Sequence, residues 1–167
     1  MIICGDCLAE MAKMEPNSVD AIVTDLSVGI AAEHLVCADL ILSGMRAFLS
    51  AQNCPYDVAV ELGERLIRIQ VKATRAPRKI PQRRGHQSAY LFHTRRAGKR
   101  GKRQYKNGEF DLLALVALDI RAVGYIPLMD VRDTVFVRIP GVSYGAKNGI
   151  GKTFDSLTFQ EAIKCLK

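Results

Sequence analysis

The stretch YDVAVELGERLIRIQVK, residues 56–72, reads as two short strands joined by a tight turn. Apolar residues alternate with polar ones on both sides of Gly63-Glu64, which is the pattern of half-buried strands. A two-residue loop that begins with glycine is typical of a type II′ hairpin turn. The sequence therefore predicts a β-hairpin with strands at residues 57–62 and 65–72.

This turn sets which residues face each other across the hairpin. Val58 is expected opposite Ile69 on an apolar face, and Asp57 opposite Gln70 on the other face. Lys72 lies two positions beyond Gln70, so its side chain projects from the same face. Directly opposed residues are about 4.5–5.5 Å apart at Cβ. The hydrophobic pattern thus predicts one cluster that contains an acid, an amide and a lysine.

Such a cluster suits metal-assisted hydrolysis of a phosphodiester. Mg²⁺ is usually held by one or two carboxylates, keeps several waters and takes phosphate oxygens as further ligands. A lysine at the site would contact the scissile phosphate or help to orient the attacking water, which the metal makes more acidic. Alternatively, this is an amphipathic hairpin whose solvated face happens to carry Asp57, Gln70 and Lys72.

Length and composition place further bounds on the protein. A chain of 167 residues, 49% of them hydrophobic, is long enough for a compact domain with its own core. No apolar run reaches the roughly 18 residues of a membrane span, and the N-terminus lacks a signal-peptide pattern. The five cysteines are an odd number and widely scattered. We therefore expect reduced thiols in a cytoplasmic protein without a membrane partner.

Positive charge is concentrated between residues 72 and 106 of a chain whose net charge is +7. A local basic block favours a nucleic-acid partner. We expect residues 73–86 to be a Pro- and Arg-rich connection and residues 95–107 a mobile loop that orders on DNA; alternatively, the block is a solubilising loop. The predicted DNA contacts, with Gln104 and the arginines as readers of base edges, are Arg75, Lys79, Arg83, Arg84, Lys99, Arg100, Lys102, Arg103, Gln104 and Lys106.

Residues 29–44 predict a helix that ends at Gly44. Glu33 shares a face of this helix with Val36 and Leu40, where packing would favour an apolar side chain. A carboxylate at the edge of a core needs a partner. A metal site would supply one; alternatively, Glu33 pairs with a base at the surface.

Further strands are expected at residues 46–50, 87–94, 110–116, 122–127 and 134–139. Thr158-x-x-Glu161 is a capping-box pattern that opens a last short helix. Asp111 stands at a strand start, either as a group near the catalytic edge or as a hydrogen-bonded structural aspartate. Alternation within residues 87–94 places Tyr90 and Phe92 on one face.

Taken together, Glu33 on a first helix, Asp57 opening a strand and Gln70-x-Lys72 on the next strand resemble the PD-(D/E)XK nuclease superfamily. The usual second-strand motif is acid-x-lysine, and here Gln70 replaces the acid. The proline that usually precedes the first aspartate is replaced by Tyr56. A glutamine at this place is similar to an intron-encoded homing endonuclease branch of the superfamily.

This resemblance implies an α/β fold with a restriction-endonuclease-like mixed sheet flanked by helices, within a domain of residues 28–167. It implies Glu33, Asp57, Gln70 and Lys72 as the catalytic residues, and Mg²⁺, which Mn²⁺ can replace, as cofactor. The implied metal ligands are Glu33, Asp57, the amide oxygen of Gln70 and the backbone carbonyl of Val71. The implied partners are double-stranded DNA and further copies of the chain, as a dimer or tetramer.

Residues 1–27 resemble the start of amino-methylating DNA methyltransferases, with a G-D-C segment followed by S-V-D-A-I-V-T-D. The catalytic motif of those enzymes stops here after its first residue, Asp25. One hypothesis is that the reading frame of an intron-borne protein runs on from an upstream methyltransferase exon, so that residues 1–27 are an appendage. Alternatively, they are a native part of the domain.

The resulting functional prediction is a site-specific, homing-type DNA endonuclease that makes double-strand breaks with Mg²⁺. One alternative is a structure-selective nuclease such as a Holliday-junction resolvase, which would cut branched DNA without sequence preference. Another is a DNA-binding protein whose nuclease site has decayed, which would bind DNA and not cleave it.

Overall fold

The computed structural model describes residues 12–14, 27–51, 54–79, 88–98, 101–103, 105–106, 108–142 and 152–166. Two helices lie in these ranges, α1 (Ser27–Leu42) and α2 (Phe159–Lys164). The strands are β1 (Arg46–Leu49), β2 (Val58–Leu62), β3 (Arg65–Thr74), β4 (Arg78–Lys79), β5 (Ser88–His93), β6 (Arg96–Gly98), β7 (Gly101–Arg103), β8 (Leu112–Ala117), β9 (Ala122–Pro127) and β10 (Thr134–Val137).

The main sheet has five strands in the order β1-β2-β3-β8-β9. β3 and β8 run parallel, whereas the other neighbours are antiparallel, so the sheet is mixed. This confirms the predicted α/β class. A second sheet of three strands, in the order β10-β5-β4, completes the larger part of the fold.

The core has two parts, one on each face of the main sheet. Every residue of β8 is buried, and its side chains alternate between the two parts. On one face Leu112 packs with Val36 and Leu40 of α1 and with the apolar side of the β2–β3 hairpin. On the other face Leu113 packs with Tyr90 of β5 and with residues of β10. The site described below lies where the edge of α1 meets the hairpin.

The β2–β3 hairpin has the predicted register, because Val58 pairs with Ile69 and Val60 with Ile67. Gly63 adopts φ +60, the left-handed region that the first position of a type II′ turn requires. Among the described non-glycine residues, Arg121 alone has a positive φ, so the φ of Glu64 is not positive. A type I′ turn needs a positive φ at both central residues. The type II′ prediction is therefore confirmed.

Helix α1 spans Ser27–Leu42, so it begins two positions before the predicted start and ends two positions before Gly44, which follows the helix as its C-terminal cap. Gly44 adopts φ +82. Its N–H donates to Ile41 O at 2.9 Å, and the N–H of Met45 donates to Leu40 O at 3.0 Å. These two bonds form a Schellman motif, which satisfies carbonyls that the helix end would leave unpaired.

One prediction about the basic block was wrong. Residues 95–107 were expected to be a loop, but β6 and β7 pair there as a two-stranded antiparallel ribbon. A ribbon is held by main-chain hydrogen bonds, so it can form from a sequence that lacks the apolar alternation on which strand prediction relies. In the preceding connection, β3 continues to Thr74, and β4 adds a short strand beside β5.

Smaller differences concern strand ends. β8 starts at Leu112 rather than residue 110, since the Asp111 N–H donates to Arg68 O at 2.8 Å outside the regular ladder. β10 stops at Val137, two residues early. Thr158 caps α2 as predicted, accepting from the Glu161 N–H at 3.2 Å.

The predicted strands near the N-terminus, at residues 2–3 and 21–24, lie outside the described residues. In the described part of the chain, no helix is long and apolar enough to cross a membrane.

Candidate active site

Asp57 lies immediately before β2 and is fixed by β3. Its N–H donates to Ile69 O at 2.9 Å. Its Oδ2 accepts a hydrogen bond from the Val71 N–H at 2.7 Å and a second one from Gln70 Nε2. The strand pairs begin only at Val58, so Asp57 and Gln70 are joined through their side chains rather than as a pair in the ladder.

The hairpin opens at this point. β2 pairs with β3 no further than Ile69, while β3 continues to Thr74 beside β8. In an extended strand the N–H and C=O of one residue point to the same side. Because the Val71 N–H reaches Asp57, the Val71 carbonyl also faces this open edge. The edge thus offers carboxylate, amide and carbonyl oxygens within a few residues.

Glu33 stands on α1 beside the buried row Ala32, Val36 and Leu40 and is itself half-buried. Burial raises the pKa of Glu33 above its ordinary value of 4.5, the negative charge of Asp57 raises it further, and neighbouring His34 opposes both. The charge of Asp57 thus acts on Glu33, which is carried by the helix that packs against both strands of the hairpin.

Lys72 lies two residues after Gln70 in β3 and is half-buried. Its Nζ is 5.8 Å from the centroid of the Tyr105 ring, within the range of a cation–π contact. The Tyr105 ring in turn packs edge-to-face on Phe110, with centroids 4.7 Å apart. The lysine is thus held over an aromatic surface on the β3 face that also carries Gln70.

A sequence model described as PD-(D/E)XK endonuclease matches residues 25–149, more than half of the chain. This chain belongs to the PD-(D/E)XK endonuclease family. It is therefore a nuclease.

A solved structure has a similar fold, that of the bacterial homing endonuclease I-Ssp6803I. The TM-score is 0.60 at 14% sequence identity, and the match covers 87% of this chain and 99% of that one. At such low identity the likeness shows the fold alone. No curated protein matches the chain in sequence.

The donor atoms fit the divalent metals that PD-(D/E)XK endonucleases typically use. Two carboxylates that repel each other gain from a cation between them, and oxygen donors are those that Mg²⁺ prefers. Gln70 gives its Nε2 to Asp57, which leaves its Oε1 for another partner. Within the described ranges no three His, Cys, Asp or Glu side chains group as a metal site, so the acids alone do not complete this set.

Asp111 takes the structural role of the two that were considered. Its carboxylate forms a bidentate pair with the Arg68 guanidinium, with Oδ1 2.9 Å from Nη2 and Oδ2 3.1 Å from Nε, and Oδ2 also accepts the Arg68 N–H at 2.8 Å. Burial alone would raise the pKa of Asp111, but these bonds and the charges of Arg68 and Arg65 outweigh it and hold the pKa below 3.8.

Five of the ten predicted DNA contacts lie in the described part of the chain. Arg75, Lys79 and Lys106 are exposed. Lys102 and Arg103 belong to β7. The other predicted DNA contacts lie outside the described residues, namely Arg83, Arg84, Lys99, Arg100 and Gln104.

Two residues near the site were not singled out from the sequence. Tyr105 is the aromatic residue of an otherwise basic stretch, which was the available signal. His93 follows from alternation in β5, because Tyr90 and Phe92 point into the core and His93 is exposed.

Proposed function

We propose that this protein is a Mg²⁺-dependent, homing-type DNA endonuclease that cuts both strands at a specific site. The observation that supports the proposal best is the bonding of Asp57 to Gln70 and Val71 at the open end of the hairpin, where the charge of Asp57 also raises the pKa of Glu33. A surface hairpin without a catalytic role would have little reason to bring two repelling carboxylates together at an open strand edge.

In this proposal Glu33, Asp57, the Gln70 Oε1 and the Val71 carbonyl would hold Mg²⁺, and the chemistry that the metal would supply is polarisation of the phosphate and a more acidic bound water. The Val71 N–H and Gln70 Nε2 fix one Asp57 oxygen, so the carboxylate is pre-oriented. Lys72 Nζ, a compact charge with three donors, contacts the scissile phosphate and helps to orient the attacking water.

Two observations favour a homing enzyme within the nuclease family. The amide at position 70 is the variant of the motif that resembles the intron-encoded branch, and residues 1–27 resemble a methyltransferase start that breaks off after Asp25. The similar fold of a bacterial homing endonuclease supports the same choice. A small chain that reads a long site works as a symmetric oligomer, a dimer or tetramer.

The test is cleavage of DNA from an uninterrupted methyltransferase gene. We expect a discrete double-strand break near the codon that corresponds to Asp25, with Mg²⁺ or Mn²⁺ and not with a chelator. Equal cutting of branched DNA of any sequence would instead identify a structure-selective nuclease. Binding without cleavage of any substrate would identify a decayed nuclease and overturn the proposal.

Matched lysine variants test the assignment of Lys72. Lys72→Ala should lower kcat by at least about a hundredfold, because the transition state loses a preorganised positive charge. Lys164→Ala, which removes an exposed lysine from α2, should cleave like wild type. Equal activity of the two variants would contradict the role given to Lys72.

A further inference from the structure

A cavity of about 420 Å³ adjoins the proposed site between the end of β3 and the strand β5. Lys72 lies at its β3 side, together with Arg75 and Arg78 from the segment that follows. His93 lies at its β5 side. The cavity is thus continuous with the proposed catalytic lysine and is reached by side chains from two different sheets.

In the described part of the chain, the ionisable side chains that line this cavity are all basic. Its described lining includes Lys72, Arg75, Arg78 and His93 and no acidic side chain. Arg75, Arg78 and His93 make no ion pair with any described acid. Asp133 lines a neighbouring cavity together with His93, and its carboxylate forms an ion pair with Arg95. Concentrated positive charge without counter-charges inside the protein favours a polyanionic ligand.

The spacing of DNA phosphates connects the cavity to the reaction. Each strand carries one phosphate per roughly 3.4 Å of helix axis. A strand that places its scissile phosphate at Lys72 must therefore place the adjacent phosphate a short distance away. The cavity that has Lys72 in its lining also has Arg75, Arg78 and His93 there, so it offers positive charge beside the lysine.

We infer that this cavity holds the backbone phosphate next to the scissile one, with Arg75, Arg78 and His93 as its contacts. The inference rests on the proposed function and adds His93 and Arg78 as positioning residues. They bind the substrate strand without touching the reacting atoms. Phosphate contacts of this kind fix the register of the strand and carry no sequence information.

The first measurement is the salt dependence of binding to a mixed-sequence DNA duplex in a chelator, by fluorescence anisotropy. The logarithm of the binding constant K falls linearly with the logarithm of the salt concentration, and each lost phosphate contact makes this fall less steep, by about 0.9 in slope. We expect this decrease for Arg78→Gln, with roughly tenfold weaker binding at low salt. His93→Gln should also weaken binding to the duplex at low salt. Arg46→Gln removes an exposed charge from β1, outside the cavity, and should keep the wild-type slope.

The second measurement places the phosphate. Once the cleavage site is mapped, replacing the phosphate next to the cut by a methylphosphonate removes one negative charge from the DNA. This replacement should slow single-turnover cleavage by wild type and by Arg46→Gln. It should cause no further decrease in the cleavage rate of Arg78→Gln. Additive effects of the two changes would overturn the inference, as would wild-type salt slopes in both cavity variants. Absence of any cleavage by wild type would count against the proposed function, and the salt slopes would still decide whether the cavity binds a phosphate.

Discussion

At the residue scale, the candidate site contains two carboxylates, Glu33 and Asp57, whose like charges act on each other. Glu33 is half-buried and feels the charge of Asp57, so its ionised form is disfavoured. In the proposed metal site the third donor, Gln70, is neutral, which limits the repulsion that a third carboxylate would add. A cation at this proposed site would relieve the repulsion between the two acids, and this has measurable consequences.

Glu33→Gln should stabilise the metal-free protein at neutral pH, by about 0.5 kcal/mol because solvent screens a half-exposed group. Since the folded-state pKa of Glu33 lies above 4.5, ionisation at higher pH costs stability, and the gain should vanish as the pH falls below 4.5. The Tm in a chelator, followed across pH, measures this. Mg²⁺ should raise the Tm of wild type more than that of the variant.

The matched control is Glu64→Gln, since Glu64 is an exposed acid in the hairpin turn. We expect it to leave both the metal-free Tm and the Mg²⁺-induced shift as in wild type. If Glu33→Gln lowers the metal-free Tm, or keeps the full Mg²⁺ shift, Glu33 is not a strained metal ligand.

The contact between Lys72 and the Tyr105 ring predicts a second residue effect. Tyr105→Leu should lower kcat by about fivefold, since cation–π contacts contribute about 0.5–1 kcal/mol. Tyr105→Phe retains the ring and should restore kcat, and neither change should affect KM for DNA. Equal loss in both variants would assign the effect to the hydroxyl rather than to the positioning of Lys72.

At the element scale, β3 and β8 are joined at their starts by the Arg68–Asp111 pair. Because β3 and β8 are parallel, a long connection joins them. The Arg68–Asp111 pair fixes the alignment of the two strands at the point where this connection leads into β8. Both side chains are partly buried, and the Arg68 guanidinium also donates to Gly108 O at 2.6 Å. Alignment of β3 bears on the proposed function because β3 carries Gln70 and Lys72.

Asp111→Asn should destabilise the protein by about 2 kcal/mol, because it removes charge-assisted hydrogen bonds. The folded-state pKa of Asp111 is depressed, so its contribution is complete above 3.8 and is lost as the pH falls through the folded-state value. Denaturant unfolding at neutral and at acid pH measures both effects.

Asp133→Asn is the matched control for this prediction. Its partner Arg95 is exposed, and surface pairs of this type contribute little. A destabilisation as large as that of Asp111→Asn would show that the loss is not specific to the buried pair.

At the scale of the whole molecule, the described helices and the second sheet cover opposite faces of the main sheet, and the site opens where β2 leaves β3. Helix α1 is also tied to β9, since the Tyr125 hydroxyl donates to Asp39 Oδ2 at 2.6 Å. That tie orients the helix that carries Glu33. The catalytic arrangement is therefore a property of the packed domain.

If residues 1–26 are an appendage, a chain of residues 27–167 should fold and cleave like the full protein. It keeps all of α1, which begins at Ser27. Its Tm should lie within a few degrees of the full-length value, because an appendage adds no packing to the core of the domain. A truncated chain that fails to fold would show that these residues are a native part of the domain.

The sequence by itself determined the elements and the hairpin. Period-two alternation set the Val58–Ile69 register, and Gly63 and Gly44 marked a turn and a helix end, because these are short-range effects of backbone sterics and burial. Resemblance of the motif pointed to the family. The sequence did not show the β6–β7 ribbon, because main-chain pairing leaves no apolar pattern in a basic stretch.

Only the tertiary structure decided which of these elements meet. It brought Glu33 within the electrostatic influence of Asp57, 24 positions later in the chain, and gave Asp111 a structural partner, because such interactions depend on how α1 and β8 pack on the sheet. It also put His93 and Arg78 around one cavity with Lys72. Packing depends on many contacts between residues that are far apart in the sequence, and a local sequence pattern does not specify those contacts.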